Sequence, residues 1–338
     1  MRAPASSNRR RALAGLSLLA PGVFLRPALA SPSVQRSSRM LMGTRVDIVL
    51  DGGDPDAARA AMQAAFAEMA RLERMMSRYH PASTVSALQR SAGQGAVDVA
   101  PEMMAVLKKA AQVSALSHGA FDVTVGAYAG WEFSPDRTHI PSDAQLRRER
   151  ALIGHRDVAL DEPQGQARLT RPGMRLDLGG IAKLAILDAG MQVLRAHNQQ
   201  HAMINGGGDV LVGGQLQGHD WRIGVRDPRA PQRLIGTVSL SDGVVASSGD
   251  YERCFVRDGK RYHQVLDPRT GYPSTGVRGA VMVSRGIDAV NGLGAALMVA
   301  GAPAGGRLLA SLSGVDGLIV DSQSRVSMSG AMAERLRG

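Results

Sequence analysis

Several short stretches of this chain gather acids, glycines and cations closely enough to do chemistry. In "DLGGIAKLAILDAG", residues 177–190, an acid precedes a glycine pair, a lysine and a helix-like apolar pattern. Glycines let backbone N–H groups approach a ligand, and a helix start favours anions. Lys183 falls in the first turn, where a cation opposes the helix dipole. An anionic ligand would give it a reason to be there; a lysine pointing into water is the plain alternative. The glycine spacing fits neither a dinucleotide fingerprint nor a P-loop.

"MINGGGDVLVGG" (203–214) adds three consecutive glycines and an acid, suited to an unusual turn or to backbone lying against a ligand. In "ASSGDYERCFVRDGKRYHQVLDPRTGYP" (246–273), "RDGKR" reads as a hairpin turn and "DPRTG" as an Asp-Pro turn. Tyr251, Tyr262 and Tyr272 beside these turns suit an aromatic ligand with polar arms, or an ordinary hairpin surface. "GAFDVTVGAYAGWEF" (119–133) offers Asp122 as a cap, a metal ligand or a partner for a base edge. No histidine forms a metal-spaced pair, and no nucleophile elbow of a serine hydrolase is present.

The elements that must position these residues follow from periodicity. "MGTRVDIVL" (42–50) reads as a strand, and 54–76 as a helix capped by Asp54 or Asp56. Further helices are expected over 101–117 and from Ser142, with strands dominating after residue 202. A late helix is expected over 288–300, stopping at Gly301, and "GLIV" (317–320) reads as a closing strand. With no repeat and no Pro-rich linker within 40–330, one α+β domain accounts for the pattern. Residues 31–39 read as a loose linker.

Ahead of the linker, residues 1–30 read as an export signal: a basic start, a modest apolar stretch and an Ala28-Leu29-Ala30 ending. Paired arginines point to the twin-arginine route, with an ordinary secretory signal as the alternative. The apolar stretch is short for a membrane span, which needs about 20 residues. Leader arginines supply half of the formal net charge of +10, and no basic run with interleaved aromatics follows. A nucleic-acid partner is therefore not expected. Cys254 is the single cysteine, which excludes an internal disulfide framework. Aromatics at 4% leave the core to Ala, Leu, Val and Met.

Taken in order, "MGT", "SRYxPxS", "GAFDVTVG", "DLGGIAK", "NGGGDV", "SGDYER" and "YHxxxDPRTGYP" resemble the bacterial FAD:protein FMN transferases, the ApbE-like family, over residues 40 to about 301. The resemblance implies a single α+β domain related to a tandem T-fold, with mixed or antiparallel sheets and packed helices. It implies FAD as substrate, magnesium as metal, and transfer of FMN to a Thr or Ser hydroxyl with release of AMP. The acceptor would be a flavoprotein of a membrane or periplasmic electron-transfer system, and the protein itself exported. Met42, Tyr79, Ala120, Phe121, Asp122, Asp177, Lys183 and Val265 would contact FAD. The Gly180 carbonyl would face the metal, and Lys183 and Asp250 are the candidate catalytic residues. The chain departs from the family pattern where metal ligands and a histidine are expected: Asn291 replaces Asp, Ala295 replaces Thr, and Gln264 replaces His. Leu184 stands where a glycine usually follows the lysine. Asp288, one helical turn before Asn291, could substitute as a ligand. Besides transfer, these departures leave open a non-catalytic flavin carrier and an FAD pyrophosphatase.

Overall fold

The computed structural model describes residues 34–134 and 137–338. The export signal expected over residues 1–30 lies outside them. Eight strands form one antiparallel sheet, in the spatial order Val34–Leu41, Thr44–Asp51, Ala202–Gly206, Asp209–Gly213, Gly243–Gly249, Val277–Ser284, Asp316–Asp321 and Val326–Met328. Of the mixed or antiparallel alternatives, the main sheet takes the antiparallel one.

Strand alternation divides the apolar side chains between two cores. Val46, Ile48 and Leu50 face the helices, as do Val244 and Ala246, while Val49 and Val245 face the other way. On the helix side lie Pro55–Met76, Pro101–Leu116, Ala182–Ala196 and Leu293–Ala300. Asp54 caps the first of these, its carboxylate accepting from the Ala57 N–H at 2.8 Å. The second face is covered by the hairpin Trp221–Asp227/Ala230–Leu240 and by the helix Gly330–Arg335, which buries Met332. Asp258 and Gly259 both take positive φ in the tight turn of the hairpin Cys254–Arg257/Lys260–His263, as "RDGKR" predicts.

Several expectations change. The supposed linker is largely strand: Val34–Leu41 pairs along its whole length with Thr44–Asp51. Its Ser and Arg residues suit an exposed edge strand, where polar side chains discourage further pairing. The late helix is broken: a 3₁₀ turn over Ile287–Ala289 is separated from Leu293–Ala300 by Gly292 at φ +83°. Gly301 then breaks the chain again before Ala302–Ala310. Ile287–Ala310 has the length and hydropathy of a membrane span, yet it folds as these short pieces against the sheet. The "GLIV" stretch is strand, within Asp316–Asp321, but it does not close the fold: a strand and a helix follow, and the backbone of Arg337 bonds to Thr237.

Gly126 has its backbone pressed against the segment that leads to the acid–glycine turn. A Cβ there would sit 2.4 Å from the Leu176 carbonyl carbon. Gly126→Ala should destabilise the protein by about 1–3 kcal/mol, because backbone rather than a flexible side chain must yield. Gly306, in helix Ala302–Ala310, meets nothing within 4 Å, so Gly306→Ala should be neutral or stabilising. Thermal denaturation of the two variants checks the contrast.

Candidate functional site

Asp177 lies in extended chain after the strand Gln166–Leu169, tied by its N–H to the Val123 carbonyl at 2.7 Å. Its carboxylate accepts from the Gly179 N–H at 2.8 Å and from Arg78 Nη1 at 2.7 Å. Gly179 and Gly180 are exposed, so this turn presents bare backbone. A Cβ on Gly180 would lie 3.2 Å from Phe121 and 3.7 Å from the Ala295 Cβ. The pattern therefore places Gly180, Phe121 and Ala295 together.

The helix that follows, Ala182–Ala196, begins without a capping side chain. Its first-turn Lys183 is not free in water. The ammonium reaches across to Asp209, Nζ to Oδ2 at 2.6 Å, at the start of a central strand. Burial opposes the charge on Lys183, but attraction to and a hydrogen bond with Asp209, helped by Glu252, hold its pKa above the ordinary lysine value. Asp209 is itself fixed, because its Oδ1 accepts from the Ser247 N–H at 2.9 Å. Gly207 and Gly208, both at positive φ, turn the chain into this strand. Ser247 Oγ donates to the Gly208 carbonyl at 3.0 Å. The three-glycine run is thus a turn with unusual dihedrals, and its following acid is the lysine's counterion.

Cations and aromatics ring this centre. Arg78 lies over the Tyr79 ring at 5.0 Å, and Tyr79 is 76% exposed, a flat face open to a ligand. Met42, at φ +54°, donates its N–H to Glu73 at 2.7 Å, while its carbonyl accepts from Arg253 at 3.0 Å. Val265 is half-buried against the helix-side core. Ala120 and Phe121 are buried, with the Phe121 N–H bonded to Ser117 Oγ at 3.0 Å.

Some expected roles meet a different geometry. Asp122 is buried and accepts from the Thr124 N–H, Thr124 Oγ1 and the His155 N–H at 2.6–2.8 Å. It works as a cap in this structure. Asp250 is held by Arg261, Nη1 to Oδ1 at 2.8 Å, so its carboxylate is committed to an ion pair. Gln264 is bound in its hairpin, its Oε1 accepting from the Arg253 N–H at 3.0 Å. Tyr262 and Tyr272 pack with Trp131 at 5.8 Å, so they form a structural aromatic cluster, and Tyr251 stands apart from it. Arg269 folds back onto Asp267.

Magnesium was expected near Gly180, Asn291 and Asp288. Asn291 is 4% exposed and its Oδ1 has no hydrogen-bond partner, which leaves one neutral donor available. Asp288 does not join it. Asp288 lies in the 3₁₀ turn Ile287–Ala289 rather than in a helix shared with Asn291, and it is exposed in a separate cleft with Lys108, Lys109 and Glu162. Ala295 brings no donor, and the described residues hold no group of three or more His, Cys, Asp or Glu. Magnesium is usually bound through one or two carboxylates plus phosphates. These residues do not fit a resident magnesium ion.

Sequence reasoning missed Arg78, Asp209 and Glu252 as site residues. Each stands in a quoted motif, but only the fold shows which groups they meet.

Beside the antiparallel sheet stand a bare glycine turn, an uncapped helix start and an ammonium held by a carboxylate, a combination whose chemistry suits a polyanionic ligand. Residues 42–319 match the ApbE family, and the chain belongs to that family. It is 32% identical over 296 residues to the FAD:protein FMN transferase of Treponema pallidum, covering 82% of each chain. It is 34% identical over 238 residues to that of Klebsiella pneumoniae, covering 70% of this chain and 72% of the relative. The crystal structure of the ApbE protein of Thermotoga maritima superposes with a TM-score of 0.83 at 30% identity, over 90% of this chain and all of that one. The flavin transferase ApbE of Vibrio cholerae shares the fold, with a TM-score of 0.77 at 24% identity over 90% of this chain and 99% of that one.

Asp209→Asn would remove the counterion and leave the burial. Lys183 should then lose its proton at lower pH than an ordinary lysine, since desolvation disfavours the charged form. FAD affinity of the variant should fall between pH 8 and about 10, where the parent's is retained. Titration of FAD fluorescence across that range measures the difference.

Proposed function

We propose that this protein transfers the FMN portion of FAD to a Thr or Ser hydroxyl of a partner flavoprotein and releases AMP. The observation that carries the reading is the Lys183–Asp209 pair beside the bare Gly179-Gly180 turn, in a chain of the ApbE family. Relatives bearing the name FAD:protein FMN transferase support it.

The residues divide the work by their chemistry. The glycine turn and the uncapped helix start offer N–H groups to the dinucleotide's diphosphate. Lys183, kept charged by Asp209, neutralises charge building on the phosphates as the bridge breaks. Arg78 adds a second cation, held in place by Asp177, and Tyr79 offers a face for a planar ring. Positioning and electrostatics are what phosphoryl chemistry chiefly asks of a protein. No step is assigned to magnesium, because the side chains do not fit one; an ion would have to enter with the substrate's phosphates.

The acceptor belongs to a membrane or periplasmic electron-transfer system under this proposal, and the protein acts after export. The paired leader arginines support that location. A second reading, a flavin carrier without transfer activity, is favoured by Asn291, Ala295 and Gln264.

Purified protein incubated with FAD and an acceptor protein displaying an Asp-x-x-Thr sequence should yield covalent FMN on the acceptor and free AMP. Mass spectrometry of the acceptor separates the readings: tightly bound FAD with no AMP supports the carrier. Transfer should change less than threefold on adding EDTA. The double variant Asn291→Asp, Ala295→Thr should gain at least tenfold in a magnesium-dependent manner. No gain would remove the missing ligands as the limit on rate.

A further inference from the structure

Transfer needs somewhere for the acceptor's hydroxyl proton to go, and the acids already considered are engaged. Asp122 caps, Asp177 holds Arg78, Asp209 holds Lys183, and Asp250 holds Arg261. Gln264 has no basic atom. Glu252, two residues beyond Asp250, differs from all of these. Among the described residues it has no hydrogen-bond or ion-pair partner, although it stands within electrostatic reach of Lys183 and Asp209.

Its place in the fold is also distinctive. Glu252 Oε1 lies 3.9 Å from the point where a side chain on Gly208 would begin, and Ser247 Oγ lies 2.9 Å from it, so the carboxylate stands beside the turn that leads into Asp209. Both residues line a pocket between the hairpin Trp221–Asp227/Ala230–Leu240 and the sheet, floored by Val210, Val245 and Val281. That pocket is on the sheet face opposite the lysine helix. Lys183 is therefore approached from one face of the sheet, and Glu252 from the other.

We infer that Glu252 takes the proton from the acceptor hydroxyl, which enters through the pocket beneath the hairpin. This rests on the transfer activity proposed above. The hydroxyl oxygen forms a bond to the FMN phosphorus, and the bond from that phosphorus to the bridging oxygen breaks. AMP leaves with the electron pair on its phosphate, and the hydroxyl proton passes to the Glu252 carboxylate.

The surroundings suit a proton acceptor. Glu252 is exposed at the rim of the pocket, yet the protein around it partly desolvates the carboxyl and raises it above the ordinary glutamate range; Lys183 lowers it, Asp209 raises it, and Arg226 and Arg253 lower it. Tyr251, whose own pKa burial pushes up to about 12, is neutral throughout the working range. Glu252 must be ionised to accept a proton, so the rate should fall as pH drops through its raised pKa.

The test compares the parent with Glu252→Gln and Glu252→Asp, using FAD and the Asp-x-x-Thr acceptor protein from pH 4.5 to 9. FAD binding is titrated in parallel by flavin fluorescence. Glu252→Gln should keep FAD affinity within about twofold, lose about 100-fold in transfer rate and lose the acidic limb of the profile. Glu252→Asp should keep the limb at an intermediate rate. A Glu252→Gln variant within threefold of the parent and with its acidic limb intact overturns the inference and leaves the transfer reading standing. If Glu252→Gln fails to fold, a Glu252→Asp rate equal to the parent's, with the limb unmoved, overturns it. A parent that transfers nothing overturns both.

Discussion

The ion pair between Lys183 and Asp209 joins two parts of the chain that would otherwise have no reason to meet. The lysine stands at the start of a helix, against the helix dipole, and the aspartate at the start of a central strand, where burial penalises its charge. Each makes the other tolerable. Breaking a buried pair by removing one partner leaves an uncompensated charge and costs about 3–5 kcal/mol. This pair is partly screened, since the Lys183 side chain is 27% exposed, so the cost here is smaller. Its larger effect is geometric: the glycine turn, the helix start and the strand end are held in register around one cation.

The supports for this centre are local and numerous. Ser247 orients Asp209, the Asp177 carboxylate closes the turn through Gly179, and Arg78 bridges the end of the long helix to that turn. The aromatic group around Trp131 steadies the Asp-Pro turn from outside, with the Trp131 indole donating to the Gly271 carbonyl at 2.8 Å and the Tyr128 hydroxyl to the Pro268 carbonyl at 2.9 Å. Charged side chains at the site are mostly committed to partners, so the arrangement is set before a ligand arrives.

Much of this was legible in the sequence. Helix Pro55–Met76 announces itself by apolar spacing and an Asp54 cap, and the hairpin turn at Asp258-Gly259 by its residue types. Local signals of that kind survive folding. The acid-diglycine-lysine turn also stood out by its residue types, since a lysine in a helix's first turn needs a partner. What could not be read was which charges would meet: Lys183 finds Asp209 and Arg78 finds Asp177 only because the sheet and helices bring distant segments together. The same limit applies to Asp288. Helical spacing placed it beside Asn291, but Asp288 sits in a 3₁₀ turn and the α-helix begins only at Leu293, beyond both. The edge strand Val34–Leu41 was hidden for another reason, since exposed edge strands carry the polar residues that also mark linkers.

The pairing of Thr44–Asp51 with Ala202–Gly206 brings Val49 opposite Met203. A central ladder joined across so much intervening chain gives the topology a high contact order, and loop-closure entropy must be met before those contacts can reward it. The N-terminal hairpin of Val34–Leu41 and Thr44–Asp51 is complete early in synthesis, yet isolated two-stranded hairpins are marginal in water. Its docking strand arrives only after the helices between have been made. Assembly of this protein is therefore paced by its topology, and a nascent chain spends that interval with Val46, Ile48 and Leu50 unshielded.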